Sequence, residues 1–203
     1  PEEFAQVFLA TAAAIREANP RAQVLNGGIY RPAVEVGRAY LQDFLAIEGV
    51  LEAIDVLSIH TYHQGPDLRT LERAITEAQA LAPGKPIWIT ETSVPCRGSR
   101  PWISEAWQAD MVFGTYILAL AHGVEKVFWH TLYDPPRRRG QRRLALSSNS
   151  LMAREDDESV SSKPAAEAYR ALAGVLEDAD WQHVARVESE GGLVVSIGEN
   201  RWL

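Results

Sequence analysis

The sequence predicts an α/β fold assembled from repeated βα units. Three observations carry that reading. Four short apolar runs rich in β-branched and aromatic residues recur along the chain, each separated from the next by a helix-length segment. One mark on each run (Asn26, His60, Glu91, Trp129) gives spacings of 34, 31 and 38 residues, the length of a βα unit. The runs are apolar almost throughout rather than alternating, the pattern of strands with helices on both faces of a parallel sheet. Two architectures satisfy this: an open doubly wound sheet, or part of a (β/α)8 barrel. A whole barrel needs about 250 residues, so four units are half of one.

The elements follow in order. Ala5, Leu9, Ala12, Ala13 and Ile15 fall at helical spacing, and Asn19–Pro20 stops that helix. A chain that opens directly into a helix, from Pro1 and with no signal-peptide pattern, is expected to be a fragment or a trimmed domain. The strands are expected over Gln23–Tyr30, Asp55–Tyr62, Pro86–Thr92 and Lys126–Tyr133. Helices are expected over Val34–Ala53, Leu68–Leu81, Ser104–His122 and Lys163–Leu176, with stops at Pro83–Gly84 and Gly123. The tail from Trp181 to Leu203 departs from the repeat. It reads as two or three short strands with a hairpin signal at Gly191–Gly192.

Composition narrows the function classes. The 203 residues suffice for one domain with a sizeable core, and 46% are apolar. A net charge of −7 argues against general nucleic-acid binding. The run Pro135–Arg143, with five arginines, reads as a solvated loop that the acidic stretch Arg154–Glu158 is placed to neutralise. No apolar run approaches the roughly 18 residues of a membrane span. Cys96 is the sole cysteine and says little about compartment, so secreted and cytoplasmic locations both stay open. Six tryptophans are compatible with core packing and with stacking on sugar faces.

The chemistry gathers at the C-terminal ends of the strands, where parallel sheets bind ligands. Asn26, His60, Tyr62, Glu91, Trp129, His130 and Asp134 lie there. Alternation puts Ile87, Ile89 and Glu91 on one face, and Ser58, His60 and Tyr62 on one face. A carboxylate closing the apolar run Ile87–Thr90 is costly unless it is paired or functional. His60 and His63 have a metal-like spacing but no third ligand, so no metal and no cofactor is expected. Asn26 is placed to bind a ligand or to end its strand. Trp102, in the loop Pro95–Ile103, offers a flat apolar face to a ligand, and Trp107 is expected to pack its helix. Glu105 belongs to a helix's first turn, where negative charge is favourable. His130 faces away from Trp129 and is expected to meet a helix.

At Lys85-Pro86-Ile87-Trp88-Ile89-Thr90-Glu91 the sequence resembles the seventh strand of clan A glycoside hydrolases, the (β/α)8 group that includes families 5 and 39. Asp55–Tyr62 resembles the sixth strand, with its His-x-Tyr pair, and Phe128–Trp129 the eighth. The resemblance covers roughly Phe4–Leu176. It implies the C-terminal half of the barrel, strands 5–8, followed by a short and truncated β segment. It implies domains of 1–178 and 179–203. It further implies that Glu91 is the catalytic nucleophile of a retaining O-glycosidase. His60, Tyr62, Trp129, Asn26 and Trp102 become substrate-binding or nucleophile-orienting residues. Pro1–Phe4 resembles the start of helix 4, so the family's acid/base glutamate, on the preceding strand, is expected before residue 1. The implied partners are a carbohydrate substrate and the missing N-terminal half-barrel, with self-association of the fragment through its open sheet edges and with neither nucleic acid nor membrane. Two other readings stay open: a non-catalytic carbohydrate-binding barrel relative, and an unrelated flavodoxin-like α/β domain. For the latter, Asn26-Gly27-Gly28 is too short a phosphate-cradling loop.

Overall fold

The computed structural model describes residues 1–62, 67–96, 103–133, 148–154, 159–177, 184–189, 192–197 and 201–202. The chain divides into two compact units. The first is Pro1–Thr61, Arg69–Glu91 and Val124–Phe128; the second is Tyr62–Leu68, Thr92–Gly123 and Trp129–Leu203.

The first unit carries the predicted repeat. Helix α1 (Glu2–Ala18) opens with two acidic residues in its first turn and ends at Asn19. Strands β1 (Ile29–Tyr30), β2 (Leu57–Tyr62), β3 (Ile87–Ser93) and β4 (Lys126–Trp129) form one parallel sheet in sequence order, β1-β2-β3-β4. Sequential parallel order is what consecutive barrel strands produce; a flavodoxin-like sheet reverses its strand order at a switch point. Helices α2 (Glu35–Leu45), α3 (Val50–Ala53) and α4 (Arg69–Leu81) fill the connections.

Three expectations need correction. The first strand is much shorter than Gln23–Tyr30: Leu25 makes one isolated bridge to Val56, and pairing resumes only at Ile29. Gly27, at a φ of +64°, turns the backbone between them. The helix expected over Val34–Ala53 is two helices, because Gly49 adopts a left-handed φ of +81°. The fourth strand stops at Trp129, and its residues are exposed or half-buried, so the both-faces-buried pattern fails at the end of the sheet order.

The core of this unit lies between helices and sheet. Leu41 and Phe44 of α2, Ile54, Val56, Leu57 and Ile59 around β2, Leu71 and Ile75 of α4, and Ile89 of β3 are all fully buried. Phe44 also receives two rings from α1, Phe4 at 5.1 Å and Phe8 at 5.7 Å between centroids. On the exposed side, Trp88 donates its indole N–H to Glu125 at 3.0 Å, and the Lys126 ammonium lies 3.8 Å from the centre of its ring. Phe128 is 6.5 Å away.

Asp55 ties three segments. One carboxylate oxygen accepts the Val24 N–H at 2.7 Å, and the other accepts from Arg16, which also donates to the Ala53 carbonyl at 2.9 Å. The Val24 N–H, aided by Arg16, holds the Asp55 carboxyl below the usual carboxylate range. A depressed folded-state pKa gives stability that is present above the unfolded value, about 3.9, and lost as pH falls through the folded one. Asp55→Asn is therefore expected to lose stability near neutral pH. Its deficit should shrink toward zero as pH drops below about 4, as urea titrations across that range would show. A deficit independent of pH would remove the ionised carboxylate as its cause.

The second unit is built on α5 (Glu105–Ala121) and α6 (Pro164–Leu176). Ser104 caps α5 by accepting the Trp107 N–H at 3.0 Å, and Glu105 sits in the first turn, as expected. Ile117 packs on Leu172 and Leu176, while Val112 packs on Leu151, Ala165 and Ala166. A hairpin the sequence did not suggest, β5 (Met152–Arg154) with β6 (Val160–Ser162), precedes α6. The tail forms three antiparallel strands, β7 (Val184–Ser189), β8 (Gly192–Ile197) and β9 (Arg201–Trp202). The β7–β8 pairing runs up to Ser189 opposite Gly192, beside the expected hairpin signal. No helix among the described residues is long and apolar enough to cross a membrane.

Candidate functional site

The C-terminal ends of β2 and β3 bring His60 and Glu91 together. Nδ1 of His60 lies 3.4 Å from Oε2 of Glu91, with the two side chains 20% and 35% exposed. The pair is therefore half-sheltered and still reachable from solvent. The strand beneath is closed by polar contacts, Ser58 Oγ to Thr90 Oγ1 at 2.6 Å among them.

These two contacts correct the expected register of faces. Ser58 and His60 share one face of β2, yet they meet Thr90 and Glu91, which are consecutive on β3. The strict alternation expected over Ile87, Ile89 and Glu91 therefore breaks at the end of the strand. Ile87 and Ile89 stay buried, while Glu91 turns to the side of His60.

Asn26 is fully buried and its amide is fully used. Its carbonyl oxygen accepts the Ser58 N–H at 2.6 Å, and its NH2 donates to the carbonyls of Ser58 at 3.1 Å and Gly27 at 2.8 Å. A side-chain amide here supplies the pairing that a peptide group gives elsewhere in a sheet. Asn26 therefore spans the gap between the Leu25–Val56 bridge and β1, with its amide satisfied within the chain.

The remaining candidates belong to the second unit or fall outside the described residues. Tyr62 belongs to the second unit, where its ring meets His130 edge-on at 6.4 Å. His130 is exposed, so the expectation that it meets a helix does not hold. The helix-side position belongs to Trp129, which packs against the Val112–Leu151–Ala165–Ala166 cluster. Trp129 also donates its N–H to the Asn149 carbonyl at 2.9 Å. The indole is thus anchored on the second unit's core and remains half-buried. Trp102, His63 and Asp134 lie outside the described residues. Among the described residues no group of three His, Cys, Asp or Glu side chains is arranged to hold a metal.

Sequence reasoning missed a buried polar cluster in the second unit. Lys163, read only as the start of α6, is 2% exposed and donates to Ser148 Oγ at 2.9 Å beside Cys96 Sγ at 3.5 Å. Gln108 donates to the carbonyls of Val94 and Ser148, and Cys96 N–H donates to the Ser148 carbonyl. Together they pin the segment that continues β3. The first unit also contains a cavity of about 630 Å³, with Phe4, Gly28, Tyr30, Arg31, Val36 and Tyr40 in its lining.

Comparison with known proteins gives the site a family context. No curated protein sequence is matched. Several solved structures share the fold. The glucosidase from Croceicoccus marinus superposes with a TM-score of 0.64 at 17% identity, over 97% of this chain and 44% of its own. A family 39 glycoside hydrolase from the gut symbiont Bacteroides cellulosilyticus WH2 gives 0.61 at 17%, over 97% and 42%. The catalytic core of xylanase A gives 0.59 at 17%, over 85% and 54%. The chain thus spans about half the length of these structures. At such identities the likeness shows the fold, which is that of clan A glycoside hydrolases. The family model described as glycosyl hydrolase catalytic core matches residues 1–162, the stretch from α1 through β6 that includes both His60 and Glu91. The chain belongs to the glycosyl hydrolase catalytic core family.

Proposed function

We propose that this chain carries the nucleophile, Glu91, of a retaining O-glycoside hydrolase. In this reading residues 1–178 are strands 5–8 of a (β/α)8 barrel, and residues 179–203 begin a C-terminal β segment. The observation that carries it is the pairing of Glu91 with His60 at 3.4 Å on the C-terminal ends of neighbouring strands of a parallel sheet. That is the end where such sheets hold their chemistry. The family match, and relatives named as a xylanase and a glucosidase, support a carbohydrate substrate.

The chemistry follows from the pair. Glu91 supplies the carboxylate oxygen that attacks the anomeric carbon, and His60 Nδ1, 3.4 Å from Oε2, is placed to hold that carboxylate in position. The glycosidic bond breaks as the Glu91 ester forms, and an acid protonates the departing oxygen. Water then attacks the same carbon, gives its proton to that acid's conjugate base, and releases Glu91. The two carboxyl groups of a retaining enzyme stand about 5–5.5 Å apart. The second is assigned, through the clan A resemblance, to the strand before α1. Tyr62, two residues beyond His60, and Trp102, between β3 and α5 in the sequence, are proposed to orient substrate.

Covalent trapping tests this directly. The full-length protein is incubated with activated 2-deoxy-2-fluoroglycosides, which slow hydrolysis of the glycosyl ester, and is then digested for mass spectrometry. One label per protein is expected, on the peptide containing Glu91. A label on another carboxylate, or product released with inverted anomeric configuration, would sink the reading.

A further inference from the structure

The segment Asn26-Gly27-Gly28 is too short for a phosphate loop, and the catalytic reading leaves it without a task. Its geometry supplies one. Asn26 fastens the segment to both the N–H and the carbonyl of Ser58, two residues before His60. Gly27 turns in the left-handed region, and Gly28 then comes to lie directly on the His60 ring. A Cβ built on Gly28 would fall 1.7 Å from His60 Nε2, 2.1 Å from Cδ2 and 2.4 Å from Cε1. The ring occupies the place a side chain at position 28 would need. On its other edge, Nδ1 faces Glu91 at 3.4 Å. Further along, the Arg31 N–H donates to the His60 carbonyl at 2.8 Å, so the backbone of residue 60 is held as well.

We infer that Gly28 is a positioning residue for the Glu91 nucleophile, acting through His60. Its bare Cα leaves room for the imidazole where Nδ1 faces the Glu91 carboxylate. This deepens the proposed function and rests on it. The backbone of Gly28 does not take a left-handed φ, so alanine is conformationally acceptable there and acts only by displacing the ring. His60 is the far end of a rotatable side chain and is partly exposed, so it can leave without unfolding the unit.

The test is a cycle of Gly28→Ala, His60→Ala and the double variant in the full-length enzyme, with Glu91→Gln as the control. Gly28→Ala is expected to fold with nearly unchanged Tm and to show His60 rotated off Glu91 in a crystal structure. Its kcat should fall about 100-fold with little change in KM, the size of effect that misplacing a catalytic group by an ångström produces. His60→Ala should match it, and the double variant should fall no further, because both changes remove one contact. A Gly28→Ala structure with His60 still on Glu91, additive losses in the double variant, or wild-type kcat with His60 displaced would each overturn the inference. If Glu91→Gln itself keeps full activity, the nucleophile assignment fails, and that failure is separable because the structural arm of the test does not depend on turnover.

Discussion

Glu91→Gln in the full-length enzyme is expected to lower kcat by several orders of magnitude while leaving Tm almost unchanged. The amide is the same size as the carboxylate and can still accept from His60 Nδ1, 3.4 Å away. It cannot supply a negative oxygen to the anomeric carbon, and each tenfold loss corresponds to about 1.36 kcal/mol of barrier. Stability should be spared because Glu91 is 35% exposed and its neighbours Ile87 and Ile89 make the buried contacts of the strand. Steady-state rates on aryl glycosides, together with thermal melts, separate the two effects. Activity within a few-fold of wild type would remove Glu91 from the covalent step.

The largest effect on stability is expected at Phe44. It is 0% exposed and is the ring on which Phe4 and Phe8 of α1 both pack. Truncation to alanine removes its own buried surface and leaves two further rings facing a cavity, a change that costs about 3–5 kcal/mol. Set against total stabilities of roughly 5–15 kcal/mol, that is a large share. For a chain of this size it corresponds to a Tm decrease of roughly 10 °C. Urea melts of Phe44→Ala should show a lower midpoint with α1 lost together with the rest of the first unit. A loss below about 1 kcal/mol would mean that the three-ring cluster is not what fastens α1.

The βα repeat was legible in the sequence because four apolar runs at nearly even spacing, parted by helix-length segments, suit a parallel sheet and little else. Helix ends were legible where a residue type forces the outcome, as at Asn19 and Ser104. The proximity of His60 and Glu91 could be anticipated from strand order. The faces could not, since alternation is a rule for regular strands and β3 leaves it at Thr90–Glu91. Asn26 was ambiguous because a buried amide that replaces a peptide group looks, in sequence, like any polar strand end. The helix side of β4 was assigned to His130 rather than Trp129 for a similar reason: the Trp129 indole N–H finds a carbonyl 20 residues later in the chain, at Asn149, and no local pattern encodes that. Lys163 gave no signal at all, because burial of an ammonium beside Ser148 and Cys96 depends on two segments remote in sequence.

Trp88 carries a consequence of a different kind. Its indole N–H meets Glu125, its ring lies under the Lys126 ammonium, and the tilted Phe128 ring stands 6.5 Å away, all from one short segment. All three arrive with β4. The fluorescence of this one indole therefore responds to a single event, the addition of the fourth strand to the third. With the other tryptophans replaced by phenylalanine, stopped-flow emission would time that event and show whether the sheet grows from its first strands outward or closes from its last.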